Sequence, residues 1–431
     1  MPIKTLHITN HYHPSSGGIR TFYLALLEAA NVHQREVRLV VPGAENSIED
    51  VGAYGKIYTI AAPPCPVFDP RYHLLLPHLY LPPYPSALGR ILREEQPDLV
   101  EVCDKYALSF LPSVLRRGWL GCPPPAVLVG LSCERMDDNV SAYINSSRPG
   151  RKFAQWYVKR LYAPRFDCHI SNSDYTAGEL RNGLQSRPEI DVYVRPMGVH
   201  CDGFTPSKRK TSLRESLLRK ISVLAAPPAT RRLILYVGRL SPEKNLEILP
   251  AMMESLAGDS AEYHLLLAGD GPRAGWLREM ADRRTPGRIH LLGHVADRND
   301  LADLYANCDA LVHPNAREPF GITPLEAMAS GLPVVAPRAG GVLSYADDTN
   351  AWLVKPTGED FAAGVRTVFA DAAAKAAKVE RAMQTAAKFD WPRVAAGFFE
   401  LYDELHARSE KAQAVTAAES DASAVYPTAH L

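Results

Sequence analysis

Several protein classes are excluded by what this chain lacks. Its 431 residues include seven cysteines, Cys65, Cys103, Cys122, Cys133, Cys168, Cys201 and Cys308, odd in number and scattered, with no CxxC pair. That pattern argues against a disulfide scaffold or a structural zinc site and suits a reducing cytoplasm. Lys+Arg and Asp+Glu are equal at 48 each, so there is no global basic field and no nucleic-acid partner is expected. No apolar run is long enough to span a bilayer, which leaves peripheral membrane contact open. The opening residues, Met1 to His7, have no long apolar core and no cleavage signal, so no secretory leader is expected. Asp137-Asp138 and Asp347-Asp348 are adjacent pairs without further ligand spacing, and no metal site is read in them.

What the chain does have is 46% hydrophobic and 22% charged residues, a soluble globular balance, and a length that suggests two domains. Residues 4–9 read as a buried strand, 10–18 as a turn-rich loop, 19–30 as a helix and 37–41 as a second strand, the opening of a doubly wound α/β domain. Residues 61–85 are crowded with proline and read as a surface excursion. A helix over 86–95 and strands at 98–103, 126–131, 168–171 and 192–194 follow, with a helix over 151–162. The α/β pattern restarts at 233–237, with a helix over 245–256, strands at 263–268, 289–292, 310–313 and 333–336, and a last apolar stretch at 353–355. The expected division is residues 1–204 and 231–390 as two Rossmann-like domains, joined by a 205–230 linker with a helix near 213–224. An amphipathic helix over 391–408 and a disordered tail over 409–431 complete it.

One stretch stands out: Glu318-Pro319-Phe320-Gly321-Ile322-Thr323-Pro324-Leu325-Glu326. Thr323-Pro324-Leu325-Glu326 fits a capping box, with Thr at the N-cap, Pro at N1 and Glu at N3. Two roles are open to Glu326: reaching back to the cap N–H, or accepting hydrogen bonds from a ribose diol. Glu318 lies on the preceding loop. Gly321 allows close backbone approach, and the N–H groups near Gly321, Ile322 and Thr323 suit a phosphate. A second segment, Gly238-Arg239-Leu240-Ser241-Pro242-Glu243-Lys244, places two cations at the carboxyl end of a strand, where α/β sheets bind ligands. Paired glycines, Gly17 and Gly18, follow the first strand. After the 126–131 strand come Ser132-Cys133-Glu134-Arg135, with no histidine that the sequence places beside the thiol, so a structural cysteine is expected. Finally, Arg151, Lys152, Lys159 and Arg160 interleave with Phe153, Trp156, Tyr157 and Tyr162. Such a segment can lie on anionic lipid, but packing of its aromatics into the fold is the favoured reading.

In this ordered set the chain resembles the retaining glycosyltransferases of family 4, which have the GT-B fold of two Rossmann-like domains facing each other across a deep cleft. Glu318 and Glu326 match that family's paired glutamates, Arg239 and Lys244 its diphosphate-binding cations, Gly17 and Gly18 its amino-terminal glycine loop. Gly271-Pro272 and Gly340-Gly341 also sit where the family has them. The resemblance implies a nucleotide-diphosphate-sugar donor, with GDP-mannose favoured over UDP-glucose, and no separate cofactor or metal. Glu318 would hold sugar hydroxyls, Glu326 the ribose, and Arg239 with Lys244 the leaving diphosphate. Phe320, Gly321, Ile322, Thr323, Gly238, Gly271, Gly17 and Gly18 would complete the donor side. A glycan, lipid or small-molecule acceptor would bind on the first domain, near Cys133, Glu134 and Arg135. The final helix would cross back to the first domain. Many members carry a histidine where this chain has Cys133, and His11 or His13 is the expected substitute. Two other readings use the same residues: a GT-B sugar-nucleotide epimerase or hydrolase, and a non-catalytic sugar-nucleotide sensor.

Overall fold

The computed structural model describes residues 2–13, 17–65, 72–81, 86–143, 148–221 and 231–425. They build two sheets. The first uses β1 (Thr5–Thr9), β2 (Val37–Gly43), β3 (Ser47–Val51), β4 (Gly55–Ala61), β5 (Leu99–Cys103), β6 (Val127–Ser132), β7 (Cys168–Ser171) and β8 (Asp191–Val194). The second uses β9 (Arg231–Val237), β10 (Glu262–Ala268), β11 (Ile289–Gly293), β12 (Ala310–Val312), β13 (Val334–Pro337) and β14 (Trp352–Val354). Strand order is 3-4-2-1-5-6-7-8 in one and 11-10-9-12-13-14 in the other. Pairing is parallel throughout except between β3 and β4. This is the GT-B arrangement of two parallel α/β sheets.

Most of these strands read directly from the sequence because a parallel sheet covered on both faces selects continuous apolar runs. β1 and β5 are buried along their whole length. β4, Gly-Lys-Ile-Tyr-Thr-Ile-Ala, escaped that reading because Lys56 and Thr59 interrupt its apolar positions, and β3 escaped it too. Its sequence is Ser-Ile-Glu-Asp-Val, four of its five residues are exposed, and it forms the charged antiparallel edge of the first sheet. Acidic residues on an edge strand discourage pairing with another chain.

Several expected elements shift. The helix expected from 245 starts at Ile248, because Pro242–Lys244 form a 3-10 turn and Asn245 takes a left-handed conformation with φ 51°. The helix expected over 213–224 spans Thr211–Ile221, and residues 222–224 lie outside the described set. The Arg148–Tyr157 helix widens into a π-turn at Val158–Tyr162. In the proline-rich excursion, residues 66–71 and 82–85 lie outside the description, and a 3-10 turn occupies Pro77–Leu79. The tail expected to be disordered from 409 is instead helical: the Trp391–Val425 helix continues without a break past Ser409, and only residues 426–431 lie outside the description.

That final helix packs on the first sheet. Asp390 bridges Val199, Trp391 N–H donates to the Val199 carbonyl at 3.1 Å, and Phe398 lies against Phe22 with ring centroids 4.9 Å apart. At the centre is Glu101, wholly buried in β5. Its carboxylate accepts hydrogen bonds from His7 Nδ1 at 2.9 Å, Tyr23 OH at 3.2 Å and Tyr402 OH at 2.7 Å. A buried carboxylate is tolerated only with such donors, and Tyr402 is the one supplied from the helix that returns from the second domain. One apolar cluster runs from Phe22 and Leu39 through Phe398 and Tyr402 to Leu235 and Leu325, so the two sheets share a continuous core.

Tyr402→Phe leaves the packing intact and removes one donor from a buried carboxylate. It should lower the unfolding free energy by about 1.5–3 kcal/mol in urea titrations, the worth of a hydrogen bond to a charged group.

Candidate active site

In a doubly wound sheet, ligands bind at the carboxyl ends of strands where the order reverses. In the second sheet that point is between β9 and β12. The loop after β9 carries Gly238, Arg239 and Lys244. The loop after β12 carries His313, Asn315 and Glu318. Both face a cleft of about 580 Å³, whose opposite wall includes Gly17, Gly18, Tyr72, Cys133 and Asn172 of the first domain.

Lys244 Nζ sits 2.8 Å from Glu318 Oε2, and Asn315 Nδ2 donates to the same oxygen at 2.8 Å. His313 Nε2 is 3.5 Å away. Burial alone would raise the Glu318 pKa. The Lys244 charge, His313 and the hydrogen bonds from Lys244 and Asn315 together outweigh it and hold the carboxyl at about 2. Burial pushes His313 down to about 4, so near neutral pH it is an uncharged imidazole. Arg239 reaches the cleft wall beside Tyr72, its guanidinium 5.8 Å from that ring's centroid.

The helix after Glu318 begins differently from the expected capping box. It spans Ile322–Ala329 with Gly321 at the N-cap, and neither Thr323 nor Glu326 caps it. Gly321 has φ 90°, a left-handed conformation that favours glycine, and this turn starts the helix two residues early. With no side-chain cap, the first-turn N–H groups are left for a ligand. Glu326 therefore points elsewhere: its Oε2 accepts the Tyr305 hydroxyl at 2.8 Å. Burial pushes the Glu326 carboxyl up to about 7, against the Tyr305 hydrogen bond and the Arg298 charge. Phe320, Gly321, Ile322, Thr323, Glu326 and Gly238 all line the cleft. Gly271 does not; Gly269 and Asp270 form that wall, and Gly271 packs behind it, where a Cβ would come within 2.5 Å of the Leu240 carbonyl oxygen.

On the first domain, Gly18 starts the Gly18–His33 helix directly opposite Ile322, and a Cβ there would lie 3.0 Å from Ile322 Cδ1. Residues 14–16 of the glycine loop are outside the description. Cys133 lines the cleft; its thiol beside Cys103, together with burial, pushes the Cys103 thiol well up. Glu134 accepts from Asn139 Nδ2 at 2.8 Å. Arg135 turns away from the cleft to a bidentate pair with Asp137, at 3.0 and 2.9 Å, and stacks on Tyr175. The expected histidine substitutes are not assembled: His11 Nε2 is 3.8 Å from Glu134 Oε1, His13 stacks on Tyr72, and neither is among the described residues lining the cleft. The imidazoles that line the cleft are His294 and His313, and His313 is the one beside Glu318. Sequence reading placed it at a strand end and gave it no role, as it did Asn315 and Tyr305. The Asn at 315, three residues before Glu318, was the available signal.

The aromatic–basic segment also departs from expectation. Tyr162 is buried and Tyr157 partly so, but Phe153 is 54% and Trp156 50% exposed, beside exposed Arg151, Lys152, Lys159 and Arg160.

Comparison with known proteins agrees with this geometry. Residues 16–203 match the family described as Glycosyltransferase Family 4, and residues 221–388 match Glycosyl transferases group 1. A GDP-mannose-dependent alpha-(1-6)-phosphatidylinositol dimannoside mannosyltransferase of Mycobacterium tuberculosis is 26% identical over 395 residues, covering 91% of this chain and 94% of that protein. A GDP-mannose-dependent alpha-mannosyltransferase of Corynebacterium glutamicum is 28% identical over 357 residues, 80% and 75% of the two chains. Among solved structures, sucrose-phosphate synthase from Thermosynechococcus elongatus superposes with a TM-score of 0.73 at 20% identity, covering 94% of this chain and all of that one. Anabaena HepE, solved with UDP, gives 0.66 at 20% identity, covering 93% of this chain and all of that one. With two family matches covering most of the chain in order, and the cations, glutamates and glycines of the cleft on a GT-B frame, this protein belongs to the family 4, group 1 glycosyltransferases, which act on nucleotide-sugar donors.

Proposed function

We propose that this enzyme transfers mannose from GDP-mannose, with retention of anomeric configuration and without a metal, to an acceptor presented at a lipid surface. The observation that carries the donor half is the cluster of Lys244, Glu318 and Asn315 beside Arg239 and the uncapped start of the Ile322–Ala329 helix. The donor's diphosphate takes the two cations and the first-turn N–H groups, as a departing phosphate requires. Glu318, ionised at all working pH values, accepts from sugar hydroxyls. Glu326 accepts from the ribose diol. In the transfer step the C1–phosphate oxygen bond breaks, the acceptor oxygen bonds C1 from the same face, and its proton passes to the departing phosphate. The name of the mycobacterial relative favours mannose and a lipid-borne acceptor.

The exposed Phe153 and Trp156, set among cations, support the lipid-surface half, since such a face inserts rings at the headgroup level while its charges meet anionic lipid. Among the described residues no helix is long and apolar enough to cross a membrane.

A thermal-shift panel with GDP, UDP, GDP-mannose and UDP-glucose should raise the melting temperature most with the guanosine ligands. Nucleotide binding without turnover on any acceptor would favour the sensor reading, and product formed without acceptor would favour the epimerase or hydrolase. Glu326 gives a pH signature. A carboxyl at about 7 when folded binds its proton more tightly than in the unfolded chain, so it costs stability progressively as pH rises from about 4.5 through 7. Glu326→Gln should therefore melt at higher temperature than the parent at pH 8, by the equivalent of about 1–3 kcal/mol, with the gap closing below pH 5. The same substitution should weaken nucleotide-sugar binding at pH 8. Binding to phosphatidylcholine vesicles containing phosphatidylglycerol, measured by sedimentation, should fall in the Phe153→Ala, Trp156→Ala double variant; unchanged binding would remove the lipid-surface half of the proposal.

A further inference from the structure

The Glu318–Gly321 loop is held from two sides. Within its own domain, Gly341 N–H donates to the Glu318 carbonyl at 2.7 Å. Across the cleft, the Pro319 carbonyl accepts from the first domain: Ser173 Oγ is 2.5 Å away and Thr176 Oγ1 3.3 Å. Both hydroxyls are wholly buried. Distance decides which matters more. Ser173 caps the Asp174–Gly183 helix, its oxygen accepting Thr176 N–H at 3.1 Å, and its hydroxyl lies much the closer of the two to the Pro319 carbonyl. Thr176 Oγ1 has nearer acceptors for its own proton in Ser173 Oγ, at 2.6 Å, and Asn172 Oδ1, at 2.6 Å. Ser173 is therefore the principal donor to Pro319.

The same helix grips the loop after β6 that forms the acceptor side of the cleft. Glu179 Oε1 accepts Asp137 N–H at 3.0 Å, and Glu179 Oε2 pairs with buried Lys105 at 2.5 Å. Lys105 also donates to the Glu134 carbonyl at 2.5 Å. Arg135 donates to the Tyr175 carbonyl at 2.9 Å. Asn172 Nδ2 donates to the Cys133 carbonyl at 3.4 Å. One helix thus joins the Cys133–Asp137 loop of one domain to the donor loop of the other.

We propose that Ser173, assisted by Thr176, is a positioning residue for glycosyl transfer. Its hydroxyl latches the Pro319 carbonyl only when the domains are closed, and so sets Glu318 and the Gly321 helix start against the donor while the acceptor loop is held by the same helix. Opening the cleft would hand the Pro319 carbonyl to water, giving the two discrete partners that a closure latch needs. The transfer part of this proposal rests on the donor role given to Glu318 above; the closure part does not.

The test separates the latch from the helix cap. Ser173→Asp keeps a capping oxygen but has no proton for Pro319 when ionised, Ser173→Ala loses both, and Ser86→Ala removes an equivalent cap, that of the Ala87–Glu95 helix, away from the cleft. Small-angle scattering of the full chain with GDP, and separately with UDP, should show compaction of the parent and of Ser86→Ala but not of Ser173→Asp or Ser173→Ala. With GDP-mannose and acceptor, both Ser173 variants should lose about tenfold or more in kcat, the scale of one hydrogen bond. Nucleotide affinity should stay within about threefold, because the nucleotide is held chiefly by the second domain. Thr176→Val should show the smaller effect. Equal compaction of parent and Ser173→Asp, or an equal kcat loss in Ser86→Ala, would overturn the latch. A parent that compacts with nucleotide yet transfers nothing from GDP-mannose would sink the donor reading and leave the latch standing.

Discussion

The contact between Lys244 and Glu318 organises the second domain's half of the cleft. It joins the loop after β9 to the loop after β12, the two strands between which the sheet order reverses. Both groups are largely withdrawn from water, and a charge in that position is stable only when paired and hydrogen-bonded. The pair therefore fixes where the two loops end, and with them the direction of Arg239, the approach of Asn315 and the turn into the Ile322–Ala329 helix. A donor diphosphate would arrive at a site whose cations are already in place, so little reorganisation accompanies binding.

The first domain contributes restraint more than charge. Gly18 allows its helix to approach Ile322, Ser173 grips Pro319, and the terminal helix ties β5 to the chain's return through Tyr402 and Glu101. Cys133 occupies the cleft wall as a small apolar group backed by Cys103, and the imidazole beside Glu318 comes from the opposite side, at His313, uncharged near neutral pH. Its position beside Glu318 follows from β12, which it directly follows as the first residue of the loop that carries the acid.

Much of the fold was legible because parallel strands buried on both faces leave apolar runs that local reading detects, as at β1, β5, β9 and β10. β3 and β4 were not: a charged edge strand has neither that run nor a clean alternation, and in β4 Lys56 and Thr59 interrupt the apolar positions. Of the donor-side residues named from sequence, most do meet at the cleft, with Gly271 displaced behind it. The misread feature is instructive. Thr323-Pro324-Leu325-Glu326 satisfies a local capping rule, but Gly321 reaches a left-handed conformation and begins the helix earlier, which frees Glu326 to meet Tyr305. The terminal helix ran on past the expected break because a tail without apolar period can still extend a helix whose first turns are anchored by Trp391, Phe398 and Tyr402.

By itself the sequence determined the repeated strand–loop–helix plan and put glycines, cations and acids in loops at the carboxyl ends of strands, because short-range patterns of apolarity and turn chemistry are written locally. Only the tertiary structure decided which loops share an edge, that Glu318 is held ionised at about 2 while Glu326 is raised to about 7, and that Ser173 reaches a carbonyl in the other domain. These depend on strand order, burial and the closeness of two domains, and no local pattern encodes the distance between residues that far apart in the chain.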